Sequence, residues 1–170
     1  MSVYAKIRSI FTRSEDMQRL WRIREKAQTT RGPLKYLYRL RWYKHCRRSG
    51  AYIPLSTEFA SRPAFPHGMQ GIFTSAGAKI GAGCTIFHQV TIGSNTLKDS
   101  KHPGAPTLGD NVYIGAGAKI IGGITIGSGV RIGANCVVMT DIPDNATVVL
   151  PAPRIITHDA PKDNTFRAWR

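Results

Sequence analysis

Residues 108–142 read LGDNVYIGAGAKIIGGITIGSGVRIGANCVVMTDI, and an aliphatic residue returns at every sixth position of this stretch. The same spacing begins upstream and is interrupted once, between Ile92 and Leu108. The first positions of the hexads are Thr74, Ile80, Ile86, Ile92, Leu108, Ile114, Ile120, Ile126, Ile132 and Val138. A period of six fits neither the helical repeat nor strand alternation, and it is typical of a parallel β-helix.

The other hexad positions support the same fold. The fifth position, from Ala78 to Ile142, is small or β-branched, and the second is mostly glycine. Three hexads predict one triangular coil with aliphatic side chains pointing inward, and we expect the second-position glycines to permit the turns between faces. Stacked coils bury a continuous apolar column. The predicted class is an all-β core of hexapeptide repeats with a basic α-helical N-terminal segment.

The positive charge of the chain is concentrated before the repeats. Residues 1–50 carry 14 Lys and Arg against 3 acidic residues, a net charge of +11, whereas residues 51–170 carry only +3 of the total of +14. Within this segment we predict one or two short helices over residues 3–28, starting near Ser14, and a helix over Leu34–Arg48. Leu34, Leu37, Tyr38 and Trp42 are expected to line one face of that second helix.

The repeats divide the chain into three regions. We predict a helical segment over residues 1–50, a β-helix over 51–157 and a tail over 158–170. The interruption, residues 94–107, is polar and rich in Gly, Pro and Ser. A loop that leaves a regular solenoid on one side is a common place for a functional site.

The cysteines and the hydropathy favour a reducing compartment. Cys84 and Cys136 occupy fifth positions, where a thiol packs as a small apolar group, and Cys46 lies in the basic segment without an activating pattern. Three cysteines argue against a disulfide framework. No apolar run is long enough to cross a bilayer, and the first residues lack the pattern of a signal peptide. We therefore expect the chain in the cytoplasm.

Three motifs, in order, are similar to those of a known family: PHGMQGIFTSAGAKIG, IFHQVTIGS and IGAGAKIIGGITIGSGVRIGANCVVMTDIPDNATVV. Together they cover roughly residues 51–157. The chain resembles the hexapeptide-repeat acyltransferases, specifically the serine acetyltransferase branch and its short members associated with polysaccharide genes. The resemblance implies a left-handed β-helix, a homotrimer, and transfer of an acetyl group from acetyl-CoA, bound between neighbouring coils, to an acceptor hydroxyl.

The resemblance also implies a catalytic pair of histidines. His67, in PHGMQGIF, matches the general base, and His102, in the excursion, matches the histidine that helps to place the acceptor. Imidazole suits proton abstraction near neutral pH, and backbone amides or His102 can stabilise the oxygen of the thioester. His88, at the third position of its hexad, is expected to line the cleft and contact the substrate.

For acetyl-CoA, the resemblance implies small groove-facing residues and cations for the phosphates. Ser94, Ala116 and Ala134 match the groove positions, and Arg131 and Arg154 match the phosphate contacts. No metal is expected, since the spacings of 21 and 14 residues between His67, His88 and His102 lack the close pair of a zinc-binding β-helical carbonic anhydrase.

Two departures from the family bear on the acceptor. Pro66 stands where serine acetyltransferases have an aspartate that holds the serine ammonium, and residues 52–54 lack the carboxylate that orients the base. Glu58, which is also expected to contact the substrate, is the nearest substitute for that carboxylate, or a backbone carbonyl could orient the base. These departures favour a sugar or polysaccharide precursor as the acceptor, and serine is the alternative acceptor. A more remote alternative is that the chain is not an enzyme and binds a membrane surface.

The basic N-terminal segment has competing interpretations. Its aromatic residues could cap the end of the β-helix, or residues 1–48 could contact an anionic membrane, which would place the protein peripherally at the inner membrane face. Interleaved cations and aromatics are also compatible with nucleic acid. We favour the cap and expect no nucleic-acid partner.

Overall fold

The computed structural model of the protein describes residues 14–165, so the predicted helical turns before Ser14 and the tail after Thr165 lie outside the described residues. Within this range two helices precede the strands: α1 (Ser14–Thr29) and α2 (Leu34–Arg48). The strands are β1 (Glu58–Phe59), β2 (Phe73–Thr74), β3 (Lys79–Ile80), β4 (Thr85–Ile86), β5 (Thr91–Gly93), β6 (Thr107–Leu108), β7 (Tyr113–Ile114), β8 (Lys119–Ile121), β9 (Thr125–Ile126), β10 (Arg131–Ile132), β11 (Val137–Val138) and β12 (Thr147–Val148).

The strands form three parallel sheets, one for each side of a triangular coil. Sheet A has the order β2-β5-β8-β11, sheet B β1-β3-β6-β9 and sheet C β4-β7-β10-β12. Single bridges from Tyr52 to Phe73 and from Ala64 to Thr85 add a first, irregular coil beneath sheets A and C. The fold is the expected left-handed parallel β-helix, an exception to the usual right-handed crossover.

The hexad assignment is confirmed by burial. All ten first-position side chains are at most 3% exposed, and the fifth-position side chains from Ala78 to Cys136 are at most 2% exposed. Thr74, the polar first-position residue, is satisfied because its Oγ1 lies 2.9 Å from Oγ1 of the buried Thr57. The two inward positions of each hexad therefore build the apolar column that the six-residue period predicted.

The role predicted for the second-position glycines is corrected. Most residues with positive φ in the regular coils are at the fourth position, for example Gly117 (φ 72°) and Asn135 (φ 58°), so the left-handed turn is usually made there. The second-position glycines are needed for close approach instead. A Cβ on Gly109 would lie 2.7 Å from the backbone nitrogen of Ser128 in the next coil.

The two helices cover the first coil. Trp21 packs edge-on against Phe59 with ring centroids 5.1 Å apart, and Trp42 donates from Nε1 to the carbonyl of Ile53 at 2.9 Å. Trp21, Trp42 and Cys46 belong to the same buried cluster as the aliphatic column. This packing agrees with the cap expected from the sequence. Among the described residues, no helix combines the length and apolarity needed to cross a bilayer.

Arg24 holds α1 on this coil through its guanidinium. The side chain is 4% exposed, lies 4.9 Å from the Trp21 ring and 4.8 Å from the Phe59 ring, and donates from Nη2 to the carbonyl of Thr57 at 2.5 Å. Burial lowers the pKa of Arg24 from its ordinary value. Carbonyl oxygens and aromatic faces stabilise this cation.

One prediction about α2 is wrong. Leu34 and Leu37 were expected on the same face as Trp42, but each is 49% exposed, while Trp42 and Cys46 are buried. Five residues at about 100° each place Leu37 about 140° around the helix from Trp42, which is the far side. The outward face of α2 is consequently apolar as well as basic.

The excursion leaves the coil between sheets A and B. Asn95 and Gly104 close its neck with two backbone hydrogen bonds of 2.8 Å, and the structure places Thr107 already in β6, so the excursion ends at residue 106. The carbonyl of His102 accepts from the backbone N–H of Gly123 in the next coil at 3.0 Å. These contacts fix the excursion at one edge of the β-helix.

Candidate active site

Four of the predicted site residues stack along one edge of the β-helix. This C–A edge, where the chain passes from sheet C to sheet A, comprises residues 65–72, 87–90, 115–118 and 133–136 in successive coils. It carries His67, His88, Ala116 and Ala134. Backbone hydrogen bonds join the steps, from Gly117 N–H to His88 O at 3.0 Å and from Asn135 N–H to Ala116 O at 2.8 Å.

The two histidines of this edge contact each other directly. His67 Nδ1 and His88 Nδ1 lie 2.9 Å apart, with ring centroids separated by 4.9 Å and planes inclined by 41°. His67 is exposed, whereas His88 is half-buried. The short distance makes this contact a hydrogen bond, in which one ring donates and the other accepts.

Three extra residues in the first coil make this contact possible. Regular coils advance by 18 residues, as from Ala116 to Ala134, whereas His67 and His88 are separated by 21. The additional residues fall in the turn between Ala64 and Phe73, which carries His67 outward from the regular edge. Counting one regular coil of 18 residues back from His88 reaches Gln70, so the irregular first coil hides the alignment of the two histidines in the sequence.

Aromatic and cationic side chains flank the pair. The ring of Phe87 meets His67 edge-on, with centroids 5.2 Å apart and planes at 88°, and Phe87 lies 5.2 Å from Tyr113. Lys119 donates from Nζ to the carbonyls of Gln89 at 3.0 Å and Gly117 at 2.8 Å. Sequence reasoning did not assign Phe87 or Lys119 to this edge.

The residues expected to meet acetyl-CoA are only partly brought together. Ala116 and Ala134 carry only methyl side chains on the C–A edge. The coils there are tightly packed, since a Cβ on Gly115 would lie 2.6 Å from the backbone nitrogen of Ala134. Arg131 is exposed on β10, in register with Tyr113 of the neighbouring strand. Arg154 is exposed in the segment that follows β12.

The remaining predicted residues lie elsewhere on the triangle. Ser94 and His102 belong to the excursion at the A–B edge, so one chain does not bring His102 to His67. Glu58 lies on β1 of sheet B, the side opposite the C–A edge, and lines a cavity of about 510 Å³ beneath α1. Glu58 therefore lies away from His67 within the chain, contrary to the expectation, and the side chain that contacts His67 Nδ1 is His88.

The edge offers no metal site by itself. Among the described residues, no group of three or more His, Cys, Asp or Glu side chains is arranged to hold a metal ion. The four segments of the C–A edge contain no Asp or Glu. What the edge supplies is an exposed imidazole, held by a second imidazole and an aromatic ring, above a groove of small residues. That arrangement can abstract a proton from a bound hydroxyl.

Comparison with known proteins assigns the repeat. Residues 105–139 match the family model described as bacterial transferase hexapeptide (six repeats). The coils over these residues are similar to the transferase hexapeptide repeat. The chain is 44% identical over 94 residues to a serine acetyltransferase of Helicobacter pylori, an alignment that covers 55% of this chain and 53% of that one.

Solved structures of serine acetyltransferases share the fold. Serine acetyltransferase isoform 3 of Entamoeba histolytica, in complex with cysteine, has a TM-score of 0.67 and 32% identity over 82% of this chain and 50% of that one. The Neisseria gonorrhoeae serine acetyltransferase in complex with serine has a TM-score of 0.59 and 28% identity over 81% and 54%. The chain spans about half the length of these relatives. They support the resemblance to serine acetyltransferases; closeness to polysaccharide-associated members stays a prediction.

Proposed function

We propose that this chain is an acetyl-CoA-dependent O-acetyltransferase whose acceptor is serine. The observation that carries the proposal is the 44% identity over 94 residues to a serine acetyltransferase. Pro66 favoured a sugar acceptor in the sequence analysis, but the relatives described above favour serine. A sugar hydroxyl is consequently the second acceptor to test.

The proposed chemistry uses His67 as general base. Its imidazole removes the proton of the serine hydroxyl as the oxygen attacks the thioester carbonyl carbon. A hydrogen-bond donor, a backbone N–H or His102, stabilises the negative charge that develops on the carbonyl oxygen. The carbon–sulfur bond then breaks, and the departing CoA thiolate takes the proton from His67. The products are O-acetylserine and CoA.

The complete site is proposed to lie between two copies of the chain in a homotrimer. His67 is at the C–A edge and His102 at the A–B edge, so a site that uses both needs the A–B edge of a neighbour. Cyclic symmetry repeats such a contact at each interface. Ser94 would then come from the same neighbour as His102.

Acetyl-CoA is proposed to bind along the C–A edge. Ala116 and Ala134 leave room for the pantetheine chain, and the exposed guanidinium of Arg131 is available to a phosphate. Arg154 is the second proposed phosphate contact. The three free, buried cysteines are compatible with a reducing compartment, so we place the reaction in the cytoplasm.

The test of the proposed function is release of free thiol from acetyl-CoA with L-serine as the acceptor. We expect serine-dependent release by the wild type and a loss of about 10²–10⁴-fold in His67→Ala. His158→Ala, a histidine of the exposed C-terminal segment, is the control and should keep wild-type rates. Thiol release with sugar acceptors but not with serine would show that the acceptor is a sugar. Unchanged release in His67→Ala would show that His67 is not the general base.

The outward face of α2 is proposed to contact an anionic membrane surface. Leu37 and Leu40 are 49% and 65% exposed, and the exposed cations Lys44, Arg47 and Arg48 continue the same side of the helix. Helix α2 contains no acidic residue. Exposed apolar side chains beside exposed cations fit the interface of an anionic bilayer.

Flotation with vesicles that contain phosphatidylserine tests this contact. We expect Leu40→Glu to float less than the wild type, with unchanged thermal stability because Leu40 packs against little. Leu97→Glu, an equally exposed leucine at 65% in the excursion, is the matched control. If Leu40→Glu instead changed only the oligomeric state, this face would contact another copy of the chain.

A further inference from the structure

The His67–His88 contact assigns a function to His88 that the sequence did not suggest. The sequence predicts His88 as a substrate contact in the cleft, and Glu58 or a backbone carbonyl as the group that orients His67. In the structure His88 Nδ1 lies 2.9 Å from His67 Nδ1. We propose that His88 is the positioning residue for His67 and fixes which of its nitrogens carries the proton. This inference rests on the proposed function.

The hydrogen bond restricts the tautomers of both rings. A neutral imidazole has one N–H donor and one acceptor nitrogen, so a contact between two Nδ1 atoms needs one of each. When His67 donates, its proton is on Nδ1 and its Nε2 is the basic nitrogen. His88 then accepts on Nδ1 and carries its own proton on Nε2. The pair therefore presents one basic Nε2 and one Nε2–H donor.

Exposure and packing favour His67 as the donor of this pair. His67 is exposed and can reach a hydroxyl, whereas His88 is half-buried and its carbonyl is fixed to the next coil by Gly117. The ring of Phe87 also packs edge-on against His67. The half-buried His88 is therefore the better positioning group, and the exposed His67 is the better base.

The hydrogen bond also strengthens as the reaction proceeds. When His67 takes the hydroxyl proton on Nε2 it becomes an imidazolium, and its Nδ1–H then makes a charge-assisted bond to neutral His88. The proton returns from Nε2 to the departing thiolate, and the Nδ1 proton stays between the rings. A neutral imidazole thus takes the place of the carboxylate that the C–A edge lacks.

Substitutions of similar shape test the inference. Asn at position 88 retains a polar atom near the place of Nδ1, whereas Leu has nearly the same shape without one. We expect kcat to fall about 10–100-fold in His88→Leu and to recover to within about 3-fold of wild type in His88→Asn, with little change in KM for either substrate. Equal losses in both variants, or a loss confined to KM, would overturn a positioning role.

A measurement independent of activity separates this inference from the proposed function. Nitrogen-15 NMR of the imidazoles reports which nitrogen of His67 is protonated. We expect Nδ1–H in the wild type and in His88→Asn, and a shift toward Nε2–H in His88→Leu. If His67 carried its proton on Nε2 in the wild type, the assignment would be reversed and this inference rejected. Absence of acetyl transfer with the expected tautomer would reject the function alone.

Discussion

At the scale of single residues, glycines allow neighbouring coils to pack closely because they have no Cβ. Gly109 has no side chain because the backbone nitrogen of Ser128 would lie 2.7 Å from its Cβ. Gly77, at the fourth position of its hexad, is less tightly packed, because a Cβ there would meet only the Cβ of Ala105, at 3.3 Å. Close packing against backbone leaves less room to relax than packing against a methyl group.

Gly109→Ala should therefore destabilise the protein far more than Gly77→Ala. We expect a loss of about 1–3 kcal/mol in the free energy of unfolding for Gly109→Ala, because the coils must separate, and less than about 1 kcal/mol for Gly77→Ala. Denaturant unfolding followed by circular dichroism measures both. Equal losses would show that the coils tolerate a methyl group between their backbones.

The buried cysteines should resist alkylation in the native protein. Burial raises the pKa of Cys46 from 9.0 to about 11 and also raises that of Cys84. At pH 8 about one Cys46 thiol in a thousand is then a thiolate, the reactive form. We expect no labelling by iodoacetamide in the folded state and full labelling in urea, by mass spectrometry.

The same pKa shift has a consequence for stability with a definite sign. Between pH 9 and about 11 the Cys46 thiol ionises in the unfolded chain but stays neutral in the folded one. Its contribution to stability is complete below pH 9 and is lost as the pH rises through this window. Cys46→Ala should therefore weaken the dependence of the unfolding midpoint on pH between 9 and 11.

At the scale of elements, the attachment of α1 depends on Arg24. Removing its side chain leaves the carbonyl of Thr57 without its donor and takes a cation from between the Trp21 and Phe59 rings. We expect Arg24→Ala to lose about 2–4 kcal/mol of unfolding free energy and to expose α1 to proteolysis. Arg22, exposed on the same helix, is the control, and Arg22→Ala should change stability by less than about 0.5 kcal/mol.

At the scale of the whole molecule, the separation of His67 from His102 predicts complementation between two inactive variants. In a mixed trimer of His67→Ala and His102→Ala subunits, some interfaces combine His67 of one copy with His102 of its neighbour. Random mixing of equal amounts should restore about a quarter of wild-type transfer. Co-expression with two different tags and thiol-release assays measures this recovery. Activity no greater than that of the separate variants would place the whole site in one chain.

The sequence by itself determined the β-helix, because the six-residue period names the inward positions from Thr74 to Val138 without reference to any partner. The same period aligned Ala116 and Ala134, which are one regular coil apart. The bounds of α2 followed from Gly and Pro at its ends, but its packed face did not, because aromatic and cationic residues occur all around that helix.

Only the tertiary structure decided which chemical groups meet. The pairing of His67 with His88 depends on three residues added to an irregular coil, and the distance of Glu58 and His102 from that pair depends on which side of the triangle each segment occupies. A repeat fixes each residue's direction, inward or outward, through local geometry. Contacts across coils depend on the accumulated length of turns and excursions, which no local pattern encodes.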